Sequence, residues 1–408
     1  MRILIHGLNY APEPTGIGKF TGEMAEWLAG RGHRVQVVTA PPYYPDWRIG
    51  SPYSSWCWRH ETIAGVEVYR CPLYVPHKPR GLTRLLHLLS FAASSLPVAI
   101  ARALIFRPDV VIAIAPALVS VPGSWIAARL AGARAFLHIQ DFEIDAAFAL
   151  GIVSGGPMRR LALALESWLL RRFDSVSSIT PAMVARLADK GVAPARRFLF
   201  SNWVDTSAIH PAPSALRASL NLPPEAVVAL YSGNMGEKQG VETLVDVARS
   251  LAGTPVHLLL AGAGAAAARL AAATTGLAQV HWLPLQPVER LNDLLNAADI
   301  HLLPQRPDAA DLVMPSKLAF MLASGRPVIA GAAANTALAR AIEGCGIAVA
   351  PGDAAAMAAA IGDLAGNEPR RRQLGERARD RAIAEWDREA ILAGYEKILL
   401  GAPRVADR

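Results

Sequence analysis

The chain has 408 residues, of which 52% are hydrophobic and 18% charged, so it is long enough for two domains with sizeable cores and too apolar to be disordered. Its three cysteines, Cys57, Cys71 and Cys345, exclude a disulfide framework and a paired CxxC zinc site. The opening run at residues 2–7 is too short for a signal peptide and leads into a glycine turn, so we expect a cytoplasmic protein that begins with a buried strand.

The positive charge of the chain is concentrated in its first half. Residues 1–205 carry 22 Lys and Arg against 14 Asp and Glu, a balance of +8, whereas residues 206–408 carry 19 against 20, a balance of −1. A basic half favours an acidic partner such as an anionic lipid surface, a phosphorylated acceptor or nucleic acid. Solubility through arginine-rich helices explains the same balance equally well.

Short apolar runs alternate with amphipathic segments through the first half of the chain. The runs have the length and composition of buried strands, and the segments between them have the period of helices. The predicted strands are 3–8, 35–39, 66–71, 110–115, 135–139 and 176–179, and the clearest helices are 19–30, 123–131 and 158–172. This alternation predicts an α/β domain with a parallel sheet covered on both faces.

A break in the alternation predicts the domain boundary. Residues 198–213 contain NWVD at 202–205 followed by Pro211 and Pro213, which is typical of a linker. A second series follows, with strands at 227–232, 256–261, 280–283, 300–303, 328–330 and 347–350, and helices at 241–251, 265–275, 287–297 and 316–323. We therefore predict two Rossmann-like doubly wound domains whose strand ends face a cleft that binds the ligand.

An uncharged segment and an aromatic loop in the first half are candidates for a membrane surface. Residues 88–101 lack charge, contain Pro97 and are too short to span a bilayer, but basic residues flank them. A core helix is the alternative. The loop at 43–47, with Trp56 and Trp58, has the composition to stack on an acceptor sugar, to lie at a membrane interface or simply to pack.

The first candidate phosphate site is YSGNMGEKQG at 231–240, between a predicted strand and a predicted helix. Glycines at such a position let the backbone approach a ligand, and the free amides of a helix start attract phosphate. Lys238 adds a mobile cation. The segment matches neither the P-loop nor the GxGxxG pattern, and a connecting turn is the alternative.

The second candidate site is the predicted helix start at Pro315, Ser316 and Lys317. We expect Ser316 to cap this helix and Lys317 to lie in its first turn. A cation there opposes the helix dipole, so a bound anion explains it better than helix stability does. Two such anion sites at strand ends of one domain predict a diphosphate ligand.

Several segments together resemble the retaining glycosyltransferases of the GT-B fold known as family 4. They are GNMGEKQG at 233–240, LPLQP at 283–287, LLNAADIHLLPQ at 294–305, DLVMPSKL at 311–318 and ASGRPV at 323–328. The N-terminal segments 7–40 and 138–151 and the linker NWVD are similar to the same family. The pattern looks most like the branch found in bacterial exopolysaccharide clusters, including colanic-acid-type transferases, and it extends over nearly the whole chain.

The resemblance implies a nucleotide-diphospho-sugar donor in the C-terminal domain and an acceptor in the N-terminal domain. Lys238 would neutralise the diphosphate, and Asn234 stands where many relatives have arginine, so it offers hydrogen bonds without charge. The backbone at Leu283 and Leu285 would contact the nucleotide base. The predicted donor-binding residues are Gly16, Gly18, Gly233, Asn234, Gly236, Lys238, Gly240, Leu283, Leu285, Asp311, Pro315, Ser316 and Lys317.

The sequence departs from the family at the nucleotide ribose. Many relatives carry two glutamates separated by seven residues, and these positions are Leu312 and Phe320 here. The second glutamate normally binds the ribose, and a phenyl ring accepts no hydrogen bond from a hydroxyl. Asp311, beside the first position, could substitute in part.

In the N-terminal domain the resemblance points to two strand ends. Gly16 and Gly18 lie in a loop that fits closure over donor phosphate and acceptor, although a structural turn is the alternative. His138 and Asp141 are predicted near the reacting sugar, so the predicted catalytic residues are His138, Asp141 and Lys238. A metal site at Asp141, Glu143 and Asp145 is not expected, because these relatives neutralise the diphosphate with lysine and helix dipoles.

The resulting prediction is a metal-independent retaining hexosyltransferase without a cofactor. Residues 1–205, with a closing helix at 385–402 that crosses back, would form the acceptor domain, and residues 206–384 the donor domain. The donor would be GDP- or UDP-linked and the acceptor lipid-linked or a saccharide, at the inner membrane surface and without nucleic acid. An epimerase or hydrolase of the same shape and a non-catalytic nucleotide-sugar-binding protein remain alternatives.

Overall fold

The computed structural model describes residues 1–77, 81–116, 118–142, 157–236, 239–307 and 314–401, without the side chains of residues 157–159 and 161. The chain forms two compact units. The first comprises Met1–Asn202 with Ile391–Arg408, and the second comprises Trp203–Ala390.

The first unit is built on a sheet whose strands are β1 Arg2–Gly7, β2 Arg34–Thr39, β3 Arg59–Ile63, β4 Val66–Arg70, β5 Val110–Ala115, β6 Arg134–Ile139, β7 Ser175–Ser178 and β8 Arg197–Leu199. Within the described residues the order is β3-β4-β2-β1-β5-β6-β7-β8, and β3 alone runs antiparallel to its neighbour. Every residue of β5 is buried, as expected for a central parallel strand covered on both faces. The edge strand β3 is absent from the predicted elements because its sequence RHETI is largely polar.

The helices of the first unit are α1 Gly16–Gly30, α2 Gly81–Phe106, α3 Val121–Ala131, α4 Pro157–Leu170 and α5 Pro181–Asp189. His6 of β1 fixes two of them on the same face of the sheet. Its Nε2 lies 3.0 Å from the Ser95 hydroxyl of α2, and its Nδ1 lies 2.8 Å from the Ser124 hydroxyl of α3. Burial lowers the pKa of His6 to about 4, so the ring is a neutral part of the core.

Residues 88–101, predicted as a segment too short to span a bilayer, belong to the 26-residue helix α2, which continues through Pro97. By length and composition alone α2 is long and apolar enough to cross a membrane, and it is the one such helix in the part of the chain that the structure describes. The prediction of a short segment is therefore wrong, because the apolar pattern continues beyond the flanking arginines Arg84 and Arg102.

The second unit contains a sheet of β9 Val227–Asn234, β10 Val256–Ala263, β11 Val280–Leu283, β12 Ile300–Leu303, β13 Val328–Gly331 and β14 Gly346–Val349. Among the described residues the order is β11-β10-β9-β12-β13-β14, and all pairs are parallel. Its helices are α6 Leu216–Ser219, α7 Thr243–Ser250, α8 Ala267–Ala273, α9 Leu291–Asn296, α10 Lys317–Ala323, α11 Ala337–Ile342, α12 Ala354–Gly366 and α13 Glu368–Trp386.

The predicted closing helix at 385–402 is two helices in the structure. Helix α13 ends at Trp386, and α14 Arg388–Leu399 begins after Asp387, whose backbone is extended. Asp387 forms a parallel bridge with Val204, and its carboxylate accepts hydrogen bonds from the Thr206 hydroxyl and the Ala390 amide. The carboxylate therefore caps α14, and the bridge to the linker breaks the helix. From Ile391 onward α14 belongs to the first unit, where Tyr395 stacks on Phe200 with ring centroids 4.0 Å apart.

Candidate functional site

The strand order of the second unit places two of the predicted loops side by side. The chain passes from β9 to β10 on one side, whereas β12 lies on the other side of β9. Ligands of doubly wound sheets bind at this switch point, outside the carboxyl ends of the strands. The segment 233–240 begins with the last two residues of β9, and Pro304 follows β12, so both predicted donor loops start at the switch point.

Glycines bring three strand ends into backbone contact there. A Cβ atom on Gly262 would lie 1.9 Å from the Gly233 carbonyl oxygen, and one on Gly264 would lie 2.6 Å from the Met235 carbonyl. A Cβ atom on Gly240 would lie 2.8 Å from the Arg306 amide nitrogen, in the loop after β12. The backbone angle φ is positive at Gly233, Gly240, Gly262 and Gly264, a conformation that favours glycine. These ends form a cradle of bare backbone suited to a close ligand.

Gly262 and Gly264 are absent from the predicted site residues. Their signal in the sequence is a pair of glycines, one residue apart, directly after the apolar run of β10. The pattern GxG without a third glycine is short and common, and the residues after it are alanines. Only the pairing of β10 with β9, which continues to Gly262 opposite Gly233, shows that the two glycine segments meet.

Lys317 places a basic side chain beside this cradle. Its Nζ lies 3.4 Å from the Ser232 carbonyl oxygen and 4.0 Å from the centre of the Tyr231 ring, while its Cδ approaches Gly233. No described carboxylate forms an ion pair with it. Burial lowers the pKa of Lys317 to about 7, because the desolvated ammonium is disfavoured. An anion bound beside this amine would favour its protonated, charged form.

The helix start at Lys317 differs from the prediction in one respect. Ser316 precedes α10, but its backbone is already helical and its hydroxyl caps no amide. An N-cap side chain reaches the first turn from an extended backbone, which explains the missing cap. The amides of the first turn therefore lack a Ser316 cap, and Pro315 accepts a bond from Leu318 at 3.0 Å. The prediction that Ser316 caps this helix is wrong.

The other predicted donor residues have different surroundings. Asn234 is exposed at the end of β9, and its backbone carbonyl accepts a bond from the Tyr231 hydroxyl at 2.6 Å. Its side-chain Nδ2 would lie 3.3 Å from a Cβ atom on Gly236, so the amide faces that glycine. Leu283 ends the edge strand β11 and Leu285 is 66% exposed just beyond it. Lys238, Asp311 and Leu312 lie outside the described residues.

Phe320 is half-buried in α10 and packs against the hydrophobic cluster that includes Leu318 and Leu322. The residue at the family's ribose-binding position therefore takes part in apolar packing. A phenyl ring offers the ribose hydroxyls contact but no hydrogen-bond acceptor.

Gly16 and Gly18, predicted in a loop, lie in the first turn of helix α1, so that prediction is wrong; this turn packs against a buried carboxylate. Gly16 has a φ of +63° at the start of α1, and a Cβ atom on Gly18 would collide with the Glu13 carboxylate. The Glu13 Oε1 atom accepts bonds from the amides of Tyr43 and Tyr44 at 3.2 and 3.1 Å. Burial raises the pKa of Glu13, and these hydrogen bonds oppose that rise. Glu13 was not among the predicted residues; its signal is a charge between two prolines in the loop that connects β1 to α1.

His138 and Asp141 occupy contrasting positions near the end of β6. His138 is buried, its Nδ1 lies 3.0 Å from the Ser177 hydroxyl, and its ring packs on Phe200. Burial lowers the pKa of His138 to about 3, so the ring is neutral in the interior of the unit. Asp141 is exposed. Contact of either side chain with a reacting sugar stays a prediction. Glu143 and Asp145 lie outside the described residues, within which no cluster of three metal-ligating side chains occurs.

Known proteins resemble this chain in sequence and fold. Residues 15–203 match the glycosyl transferase 4-like domain family, and residues 226–367 match the glycosyl transferases group 1 family. Over 374 residues the chain is 44% identical to the colanic acid biosynthesis glycosyl transferase WcaI of Escherichia coli K12, covering 88% of this chain and 91% of that relative.

Solved structures share the fold at low sequence identity. Sucrose-phosphate synthase from Thermosynechococcus elongatus has a TM-score of 0.71 and 21% identity, over 98% of both chains. HepE from Anabaena, in complex with UDP-glucose, has a TM-score of 0.69 and 17% identity, over 98% of this chain and 100% of that one.

Proposed function

Because this chain belongs to glycosyltransferase family 4, in its colanic-acid-type branch, we propose that it transfers a hexose from a nucleotide-diphospho-sugar to a lipid-linked or saccharide acceptor in cell-surface polysaccharide synthesis. Its two parallel-sheet α/β units have the GT-B fold, which confirms the predicted fold class. The observation that carries the proposal is the desolvated amine of Lys317 beside a glycine cradle at the switch point of the second sheet.

The diphosphate is proposed to lie in this cradle. As the bond between sugar and phosphate breaks, negative charge grows on the diphosphate oxygens. Lys317, Lys238 and the glycine backbone of the strand ends would stabilise that charge without the reorganisation that water requires. The same cations would take the place of a metal ion, which makes the transfer metal-independent. The acceptor hydroxyl would attack the anomeric carbon from the face that the leaving phosphate vacates. The leaving phosphate would take the proton of that hydroxyl, and the anomeric configuration of the sugar would be retained.

The acceptor is proposed to bind the first unit beside Glu13, which packs against Gly18 of α1 and accepts bonds from the amides of the loop at Tyr43 and Tyr44. The buried carboxylate fixes the backbone of this loop, and Asp141 would lie close to the same strand ends. We place the enzyme in the cytoplasm, peripheral at the inner membrane, where lipid-linked acceptors are available.

The nucleotide and the reaction can be tested together. We expect one of GDP-, UDP- and dTDP-hexose to raise the melting temperature of the protein, because a ligand that binds only the folded state stabilises it. HepE was solved with UDP-glucose, so the UDP series is the first to measure. With that donor and a lipid-linked acceptor, transfer should proceed in the presence of a metal chelator. NMR of the product should show the same anomeric configuration as the donor. Donor breakdown at the same rate without acceptor would indicate a hydrolase instead.

Donor affinity is expected to depend on pH through Lys317. Burial lowers its pKa to about 7 in the free protein, and a bound diphosphate raises it again, so binding favours the protonated lysine. The dissociation constant should be lowest below this pKa and should rise by up to about tenfold per pH unit above it. Calorimetry between about pH 6 and 9 should also detect proton uptake on binding. A Lys317→Arg variant, charged throughout this range, should show a flat profile, and an equally flat wild-type profile would contradict the assignment.

A further inference from the structure

Helix α2 is apolar on the side that faces away from its own sheet. Its inner stripe is buried and consists of His87, Leu88, Phe91, Ser95, Ala99, Ala103 and Phe106. Its outer side carries exposed large apolar side chains: Leu82, Leu85, Leu86, Leu89, Leu96, Leu104 and Ile105. A helix on the surface of a soluble protein normally presents polar residues there. We call this outer side the α2 surface.

The α2 surface is continuous and long. Its large apolar residues, together with the exposed Ala93, Pro97 and Ala101, recur every three or four positions between Leu82, which is 77% exposed, and Ile105, which is 70% exposed. At 1.5 Å per residue this stripe extends over about 35 Å. Single exposed leucines are common on proteins, but an uninterrupted apolar stripe of this length marks an interaction surface.

Exposed aromatic side chains border the middle of the stripe. Trp56 is 83% exposed, Trp58 is 61% exposed and Tyr74 is 45% exposed. The Trp58 Nε1 donates to the Ser94 carbonyl at 3.4 Å, and the Tyr74 amide donates to the Ser90 hydroxyl at 2.9 Å, so both residues are fastened to α2. Tryptophan and tyrosine are the residues enriched at the boundary between lipid and water.

Positive charge accompanies the stripe without acidic residues. Between Glu67 and Asp109 the sequence contains no Asp or Glu. Its basic residues are Lys78, Arg80, Arg84, Arg102 and Arg107, besides Arg70, which is buried and paired with Glu61. On the neighbouring face, Ile126 and Leu130 of α3 are exposed, and Arg172 lies 4.6 Å from the ring centre of Trp168, which is 45% exposed. Apolar, aromatic and basic groups therefore share one side of the first unit.

We propose that the α2 surface binds an anionic lipid bilayer, with α2 lying in the plane of the headgroup region. The helix does not cross the bilayer, because its inner stripe is buried in the unit and Ser95 bonds to His6 of the central strand β1. A second copy of the chain would bring two basic surfaces together, whereas anionic headgroups complement them. This inference rests on the proposed function, because it assigns the surface by which the enzyme would reach a membrane-bound acceptor. Binding to lipid itself requires neither the donor nor glycosyl transfer.

Sedimentation with vesicles tests the proposal on the full chain, without donor or acceptor. Wild-type protein should co-sediment with vesicles of phosphatidylcholine containing about one third phosphatidylglycerol, and more weakly with phosphatidylcholine alone. A Leu86→Glu/Leu89→Glu variant should bind the anionic vesicles at least about tenfold more weakly, because it removes two inserted side chains and adds two repelled charges. Ile383→Glu, at a 46% exposed site on α13, is the matched control and should bind like the wild type.

The variant must remain folded for its loss of binding to count, and an unchanged melting temperature and unchanged donor-induced stabilisation would show this. Three outcomes overturn the proposal. The first is that the wild-type protein does not co-sediment with anionic vesicles, and the second is that the double variant binds these vesicles as strongly as the wild type. The third is that light scattering shows a dimer that the double variant dissociates while neither protein binds lipid, which would assign the α2 surface to a second copy. Since vesicle binding and transfer are measured separately, failure of one leaves the other intact.

Discussion

Replacing Lys317 with alanine is expected to lower kcat/KM for glycosyl transfer by about 10²–10³-fold, or roughly 3–4 kcal/mol of transition-state stabilisation. The amine lies beside the glycine cradle, over the Tyr231 ring and 3.4 Å from the Ser232 carbonyl, with no described carboxylate to neutralise it. Its pKa is lowered to about 7 by burial, so the cation is costly for the free protein. We propose that a charge placed at such a cost serves to stabilise the negative charge that develops on the leaving diphosphate.

The same residue allows function to be separated from folding. Lys317→Met keeps the length of the side chain and removes the buried amine, so the free protein should melt at the same or a higher temperature while donor-induced stabilisation is lost. Lys397→Ala removes an exposed lysine of α14 and should retain wild-type activity. Lys238→Ala should also impair transfer, as predicted from the sequence. We expect kcat/KM to fall by at least about 10²-fold in Lys317→Ala. A value within about threefold of the wild type would refute the role of this amine.

Replacing Gly262 with alanine is expected to destabilise the second unit by about 3 kcal/mol or more. The φ angle of Gly262 is +149°, and a Cβ atom would lie 1.9 Å from the Gly233 carbonyl oxygen, which is backbone and cannot rotate away. The ends of β9 and β10 would have to separate. A loss of this size should lower the melting temperature by roughly 10 °C, and any protein that still folds should show weakened donor binding because the cradle is widened.

Gly362→Ala provides the matched substitution. Gly362 lies inside α12, and a Cβ atom there would meet nothing within 4 Å. Alanine should stabilise this helix by about 0.5–1 kcal/mol, since glycine is the poorer helix former. Calorimetric melting of the two variants should therefore shift in opposite directions. Equal melting temperatures for the Gly262→Ala and wild-type proteins would show that the strand ends are not packed as described.

The parts of the site that could be predicted are those with a local signal. The strands are apolar runs bounded by glycine and proline, and the loop after β9 combines glycines with a lysine, so both are visible in the sequence. The family resemblance predicted the GT-B fold correctly because its motifs lie at strand ends that the fold itself requires.

The remaining features depend on contacts between distant residues. The sequence predicts Ser316 as a helix cap, but its backbone is helical and its hydroxyl caps no amide. Asp387 lies in a sequence with a helical pattern, but its bridge to Val204 interrupts the helix. Likewise, Gly262 matters because β10 pairs with β9 in a register that brings it opposite Gly233. The burial of Lys317, which lowers its pKa, and its contact with the Tyr231 ring are also tertiary features that no local pattern contains.

A crystal structure with an unhydrolysed nucleotide-sugar would show whether the donor diphosphate lies in the glycine cradle of the second unit. We predict a phosphate oxygen within about 2.7–2.9 Å of the Lys317 Nζ, the distance of a charge-assisted hydrogen bond. The glycine backbone at the end of β9 should lie next to the same diphosphate. A nucleotide bound elsewhere, with the Lys317 amine still resting on the Tyr231 ring, would contradict the account.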